Sequence, residues 1–431
     1  MWGIANSNYA ASSGMYLNPS SMMLMPYTWE TTIFGADISL QNNYLAFDRT
    51  KATTTAEGTP DPHAGMIDYY NSRNKFARSH VMLQLPSFTF KLKDMAFGFH
   101  AAVRNDLSVQ NVPAALAKFG YEGIVYTPLH GSSIDLSGVR LGELTWAEVG
   151  VSMAKQLSKN PDKKWIVGAT LKAIASVQAL SLNINSGTLN ISNDTMVTLK
   201  NFTGEMNTVM PGSPGQVLSV PGRGAGVDLG FCYVSNSNLQ RFENGKSVPV
   251  KKYDYRIGAS LIDLGFVGFG GYTQTTTFNT SYGEYDARGQ ALDSLLTSNA
   301  KKGTFVMSLP TALSIQYDRC LIPKVYFNLS AIQRVPLPMP HIDRPNQLSA
   351  TLRYESTFFE VDVPYSFYDY YLHRIGFAMR YRFIFVGSDK IGTFVNNTEI
   401  SGADFYFGIR LTNLDFKGKV KPKKHVCAAY F

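Results

Sequence analysis

The side chains with most chemistry to offer are seven histidines (His63, His80, His100, His130, His341, His373 and His425) and three cysteines (Cys232, Cys320 and Cys427). The histidines show no metal-ligand spacing. No His-Glu-x-x-His, Gly-x-x-x-x-Gly-Lys-Ser/Thr or Gly-x-Ser-x-Gly stretch occurs. An odd number of scattered cysteines speaks against a disulfide framework and against a zinc site. Cys232 and Cys320 fall in strand-like segments as buried thiols, and Cys427 alone sits in an accessible tail. Gly222-Arg223-Gly224-Ala225-Gly226 has the glycine content of a phosphate loop. A strand-like Val227-Asp228-Leu229-Gly230-Phe231 follows it, so the helix N-terminus that such a loop needs is missing, and a bend at a strand start is the reading. The residues support no catalysis, no metal and no cofactor.

A second constellation is electrostatic. Arg104, Glu148, Lys172, Arg256, Asp318, Arg353, Arg380, Asp404 and Arg410 all take the polar parity of alternating segments. Unpaired charge inside a membrane barrel is costly unless water reaches it. These groups are therefore expected to pair with one another and with carbonyls of a plug. The alternative is that they line a polar path or bind an acidic headgroup. His100 shares the inward parity and reads as a hydrogen-bonding group of the lumen.

The elements that position these residues follow from composition and period. The chain has 431 residues and carries +8, with 45% apolar, 13% aromatic and only 17% charged residues, against about 25% charged in ordinary soluble proteins. So many aromatics exclude disorder. No run approaches the roughly 18 apolar residues of a spanning helix. The positive charge is spread out, its one cluster being Lys417 to Lys424, and no nucleic-acid partner is implied. Alternation at period two recurs instead. Phe97, Phe99, Ala101 and Val103 oppose Gly98, His100, Ala102 and Arg104, and Phe405, Phe407, Ile409 and Leu411 oppose Tyr406, Gly408 and Arg410. Several such segments approach the 9–11 residues that cross a bilayer when tilted. Their polar faces are rich in Gly, Ser, Thr and Arg, as a crowded hydrated lumen requires. Trp29, Trp146, Trp165 and Phe405 suit interfacial girdles.

The fold class is thus all-β: a transmembrane antiparallel β-barrel with an N-terminal plug. Strands are placed near 28–40, 79–92, 94–105, 144–157, 164–180, 223–236, 253–262, 265–277, 304–318, 323–334, 347–355, 357–363, 373–387 and 401–412. That makes fourteen. A tight turn is assigned to Asp263-Leu264-Gly265, which breaks the alternation of short turns and long loops. A strand inside 181–222 and a break near Arg382 would restore it with sixteen. Long loops are placed at 41–78, 106–143, 181–222 and 278–303, with helical turns at Ala114 to Phe119 and Ala291 to Ser298.

Residues 1–27 contain no Asp, Glu, Lys or Arg. That texture suits packing inside a lumen, with Asn18 capping a short helix that begins at Pro19. The domain reading is a plug over 1–27, a barrel over 28–412 and a basic tail over 413–431. Met1 and Trp2 lead straight into Gly3-Ile4-Ala5 with no leader pattern. The chain is therefore cytoplasmic or begins at a processed terminus, and the barrel pattern favours the second. Asn6-Ser7-Asn8-Tyr9-Ala10, Tyr16-Leu17-Asn18-Pro19-Ser20, Asn42-Asn43-Tyr44, Val386-Gly387-Ser388-Asp389-Lys390 and Gly402-Ala403-Asp404-Phe405-Tyr406-Phe407-Gly408 resemble an uncharacterised outer-membrane barrel family of Bacteroidota. That family is similar to the FadL-type fatty-acid transporters. The resemblance implies fourteen strands and a hatch whose Asn-Pro-Ala motif is matched by Asn18-Pro19-Ser20, with Ser in place of Ala.

Members of the broad group either conduct hydrophobic molecules or, like the PorV component, serve protein export. The leading expectation is an outer-membrane conduit for hydrophobic small molecules with both termini periplasmic. It carries an apolar pocket beside Asn18, Pro19, Ser20, Met22 and Met25, and a kinked strand opening to the bilayer. The alternative is a non-transporting accessory subunit of a secretion or assembly complex. Expected partners are outer-membrane lipid, a hydrophobic ligand, and other outer-membrane or periplasmic proteins of a larger complex.

Overall fold

The computed structural model describes the chain except Met1 and residues 49–64, 159, 161, 210–219, 237–239, 244–245, 250–252, 287–299, 396–398 and 414–431. The basic tail and the helical turn expected at Ala291 to Ser298 lie outside the described residues.

Nineteen strand segments join in one antiparallel sheet. Four pairs of them are collinear pieces of one passage, and Ser133–Asp135 is an outlying strand on a loop, so the ring has fourteen passages. These are β1 (Trp29–Asn42), β2 (Lys75–Gln84, then Ser87–Leu92), β3 (Met95–Val112), β4 (Arg140–Gln156) and β5 (Lys163–Ile191). Next come β6 (Met196–Val209, then Gly222–Ser235), β7 (Tyr255–Asp286), β8 (Ala300–Ser308, then Ala312–Ile322), β9 (Val325–Arg334) and β10 (Gln347–Glu355). The last are β11 (Phe359–Tyr368), β12 (Leu372–Ile375, then Phe377–Tyr381), β13 (Ile384–Ser388) and β14 (Gly402–Thr412). Pairing of β14 with β1, from Thr412 opposite Glu30 to Gly402 opposite Gln41, closes the barrel.

The number fourteen agrees with expectation because two errors cancel. Asp263-Leu264-Gly265 is no turn. β7 runs through it, and Asp263 takes a left-handed φ of 54° as a bulge. The expected strand 373–387 is instead two, reversed at Arg382 with φ 50°. The strand suspected inside 181–222 exists as Met196–Val209, the upper half of β6. With these changes the strands run alternately up and down. The turns after β2, β8, β10 and β12 are short and lie at the end where β1 starts and β14 finishes, an end that also holds the longer connection 236–254. The long loops after β1, β3, β7 and β9 lie at the other end, together with the short connections 192–195 and 369–371.

The side-chain faces are inverted relative to a soluble protein. Phe99, Leu171, Ile315, Leu352 and Ile375 point outward and are exposed, whereas Glu30, Thr170, Asp318, Asn328 and Thr351 point inward and are buried. A continuous apolar exterior of this kind is what lipid requires. At the short-turn end an aromatic ladder crosses four strands: Trp165–Tyr233 at 4.8 Å, Tyr233–Tyr255 at 6.0 Å and Tyr255–Tyr317 at 6.4 Å between ring centres. On β7 the outward residues stay apolar from Ile257 to Phe266, then turn polar at Gln274, Asn279 and Ser281. At about 3.3 Å per residue and a barrel tilt of about 40°, Tyr255 to Phe269 rises about 35 Å, close to the hydrocarbon thickness. Trp146, expected in the girdle, instead points inward and is fully buried. It shares the parity of Glu148, whose Oε2 accepts from its indole N–H at 2.9 Å.

Above the apolar band β5, the upper part of β6 and β7 continue as a projecting blade. Phe202, Phe278, Leu189, Ile191, Val197 and Leu199 form its own apolar core, with Ile124, Leu129 and Ile134 from the 113–139 loop. That loop carries a helix, Ala114–Glu122, which spans the turn expected there.

Candidate functional site

The uncharged N-terminal segment folds into two short helical turns, Trp2–Ala5 and Ala11–Met15, and a 3-10 helix, Pro19–Leu24, all inside the barrel. Asn18 is extended at φ −159° and caps that helix, its Oδ1 accepting from the Ser20 N–H at 3.0 Å and the Ser20 hydroxyl at 2.7 Å. Its Nδ2 donates to the Phe231 carbonyl and to Gln316 Oε1, both at 3.1 Å. One side chain thus caps its own helix and ties it to β6 and β8.

The wall is shaped for this contact by glycines on three adjacent strands. A Cβ at Gly168 would fall 2.5 Å from the Ser20 nitrogen, one at Gly230 2.2 Å from Asn18 Oδ1, and one at Gly258 3.0 Å from Asn18 Nδ2. Pro19 and Ser20 are buried against this seat, Met22 is buried against Gly98 of β3, where a Cβ would fall 2.8 Å from its sulfur, and Met25 is buried beside β2, where Thr89 donates to its sulfur at 3.9 Å.

Charged wall residues hold the rest of the segment. Glu30 accepts from the Ser12 N–H at 3.1 Å, the Ser12 hydroxyl at 2.5 Å and the Tyr27 hydroxyl. Glu355 accepts from the Asn8 N–H at 2.9 Å and side chain at 2.7 Å. Arg256 donates to the Asn6 carbonyl, Arg410 to the Ala10 carbonyl at 3.1 Å, and Ser260 to the Leu17 carbonyl at 2.5 Å. Hydrogen bonds to charged partners contribute about 1.5–3 kcal/mol each.

The inward charges divide into separate groups. Arg104, Glu148 and Lys172 meet around Asp263, which accepts from Arg104 at 3.0 Å, Lys172 at 2.7 Å and Arg344 at 3.2 Å. Asp228 adds a second carboxylate 2.7 Å from Lys172, Glu148 lies 3.5 Å from Arg104, and Arg104 lies over the Trp146 ring at 4.6 Å. His100 sits 3.7 Å from Glu148 and edge-on to Tyr16 at 5.0 Å. Lower in the lumen Arg256 and Arg353 each bond Asp318 at 2.9 Å, and Tyr253 donates to the same carboxylate at 2.9 Å. Arg380 pairs with Glu360 at 2.8 Å. Asp404 stands apart near the loop end, accepting from the Asp389 N–H at 2.6 Å.

Sequence reasoning missed Asn8, Glu30, Asp263, Glu355 and the glycine seat. Glu355 shares the parity of Arg353 and was legible. Asp263 was not, because its inward direction comes from the bulge.

A cavity of about 210 Å³ lies on the loop side of the plug. It adjoins Ser13, Tyr16 and Leu17 rather than the Asn18–Met25 stretch expected from the sequence. Its apolar wall is Met82, Leu107, Ile262, Ile332 and Ile342, and its polar wall carries Arg78, His80, Asp106 and Arg374. Ile342 also belongs to a buried apolar cluster with Trp146, Val209, Phe269, Phe305 and Met307. That cluster backs the interruption of β6: Val209 pairs with Ala179 and Gly222 with Ser176, so twelve residues intervene where β5 has two. Among the described residues no group of His, Cys, Asp and Glu side chains is arranged to hold a metal ion.

A family profile described as "Family of unknown function (DUF5723)" matches residues 24–389. No curated protein matches the sequence. Among solved structures the chain is similar to a deletion mutant of the monoaromatic hydrocarbon channel TodX, at 10% identity over 93% of this chain and 94% of that one, with a TM-score of 0.47. It is similar to the Ralstonia pickettii toluene transporter TbuX at 11% identity over 94% of each chain, with a TM-score of 0.44. It is also similar to a Pseudomonas aeruginosa FadL homologue at 11% identity over 95% and 97%, with a TM-score of 0.30.

Proposed function

The chain belongs to the DUF5723 family, and we propose that it is a plugged outer-membrane barrel that passes small hydrophobic molecules. The observation that carries the reading is the continuity of apolar surface from the cavity, through Ile342, into the cluster behind the interrupted strand β6. A molecule arriving from the loop end meets an apolar wall above the plug. The plug blocks a straight aqueous path, so the apolar cluster gives it a sideways route to the bilayer. In this reading residues 1–27 are a hatch, Asn18-Pro19-Ser20 is its seat, and both termini face the periplasm. The test is uptake of a hydrophobic fluorophore by cells whose outer membrane carries the wild-type chain or Ile342→Arg. Faster uptake with wild type, lost in the variant while the barrel still inserts, is the expected outcome. Uptake equal to that of cells lacking the protein refutes the reading.

The projecting blade favours a second reading, an accessory subunit of a secretion or assembly complex. A separate apolar core beyond the membrane band is more structure than a loop needs, and it offers a rigid platform to a protein. Stoichiometric co-purification of a protein from native membranes, abolished by shortening the blade, would select this reading.

A further inference from the structure

Exposed cations stand at both ends of the barrel. At the loop end the more buried ones are paired, Lys118 with Asp68 and Glu122, Arg140 and Arg334 with Asp343, and Arg344 with Asp263, while Arg73, Lys200, Lys301 and Lys302 are exposed and have no ion-pair partner among the described residues. At the short-turn end Lys93, Lys155, Lys163, Arg319, Lys324 and Arg382 are exposed, and none has an ion-pair partner among the described residues. Among the described residues, Asp94 and Asp162 are the exposed acids beside them. These cations also stand against membrane surface. Lys93 follows exposed Leu92, Lys163 lies two residues from Trp165, Lys324 lies two residues from exposed Ile322, and Arg382 precedes exposed Phe383. The aromatic ladder from Trp165 to Tyr317 lies at the same level.

We propose that this rim binds anionic glycerophospholipids, the cations taking the headgroup phosphates while the adjoining apolar residues lie along the acyl chains. Unpaired lysine and arginine at an apolar–aqueous boundary match a negative headgroup layer, and each such cation contributes about fivefold in affinity for an anionic surface. The rim is continuous with the apolar band, so its occupant carries a hydrocarbon chain as well as the charge. The six positions come from four different turns, so binding distributes around the barrel. It holds the short-turn end at a fixed depth, whichever solute the lumen handles.

The test is native mass spectrometry of the full chain in dodecyl maltoside, with added dioleoyl phosphatidylglycerol or dioleoyl phosphatidylcholine. The wild type is expected to retain phosphatidylglycerol at least tenfold better. K93Q/K155Q/K163Q/R319Q/K324Q/R382Q should lose that preference. K93R/K155R/K163R/K324R keeps the charge and should retain it. Equal retention of the two lipids by the wild type overturns the proposal without reference to any variant. An unchanged preference in the glutamine variant, with its barrel still shifted by heat on gels, overturns it equally.

Discussion

Replacing Gly230 with alanine places a Cβ 2.2 Å from Asn18 Oδ1 and 2.8 Å from the Pro19 Cδ. Ordinary contact begins near 3.4 Å, so the 3-10 helix must withdraw by more than an ångström. That movement carries Asn18 Nδ2 out of range of the Phe231 carbonyl and of Gln316, each now at 3.1 Å. Two neutral hydrogen bonds contribute about 1 kcal/mol each, and overpacking a close contact costs about 1–3 kcal/mol. Gly230→Ala should therefore loosen the seat by about 3–5 kcal/mol. Gly268→Ala is the control, since its Cβ meets nothing nearer than a carbonyl at 3.9 Å; it should stay within about 0.5 kcal/mol. Asn18→Gly removes one of the two colliding groups, so the double variant should fall short of the sum of the singles by about 1–2 kcal/mol. The assay is thermal unfolding in detergent paired with conductance in planar bilayers. A loosened plug gives a lower midpoint and added conductance. Gly230→Ala with wild-type midpoint and conductance would refute the seat.

Further tests address the anchors. Asp263→Ala leaves Arg104, Lys172 and Arg344 facing one another without their shared carboxylate; a loss of about 3–5 kcal/mol is expected, read in the same thermal assay, and a change under 1 kcal/mol would contradict the assigned role. Glu30→Ala strands the Ser12 and Tyr27 donors. Hydrogen exchange should rise across residues 2–27, while Glu30→Gln, which keeps an acceptor, should show a smaller rise; equal exchange in both argues against the charge-assisted anchor. In the 335–346 loop, the Asp343 carboxylate 3.6 Å from the His341 ring raises that imidazole above its ordinary value. Burial pushes the Asp343 carboxyl up, but His341, Arg140 and Arg334 outweigh it and the net direction is down. The raised imidazole contributes stability that is complete below about pH 6.5, its unfolded value, and is lost as pH rises through its folded value. The depressed carboxyl contributes above its unfolded value of about 3.9 and loses this as pH falls through its folded value. Protection in this loop, the exchange rate divided into the intrinsic rate at each pH, should be greatest between those limits and lower at pH 9. A flat profile would show that the pair does not stabilise the loop.

Much of the barrel was legible because a strand needs only alternation to declare its two faces. Phe99 and Val103 outward with His100 and Arg104 inward follow from spacing alone, and so does the inward set from Arg104 to Arg410. That the N-terminal segment packs against the inner wall was legible from its missing charges, and its 3-10 helix from the capping chemistry of Asn18 and Pro19. The failures cluster where the period slips. Asp263 lies in a bulge that reads like a turn, and Arg382 is a turn that reads like strand. Trp146 was assigned by residue type when its own parity with Glu148 pointed inward.

The amino-acid order therefore determined which residues meet lipid and which meet the lumen, since side-chain direction along an extended chain is a local property. Only the closed ring decided which inward residues meet each other. Asn8 reaches Glu355, Asn18 reaches Gln316 and Arg104 reaches Asp263 across separations of 347, 298 and 159 residues. Partners that distant are chosen by strand register and by the bulges that shift it. The cavity and the glycine seat are likewise set by the distance between opposing walls, a quantity that no local pattern encodes.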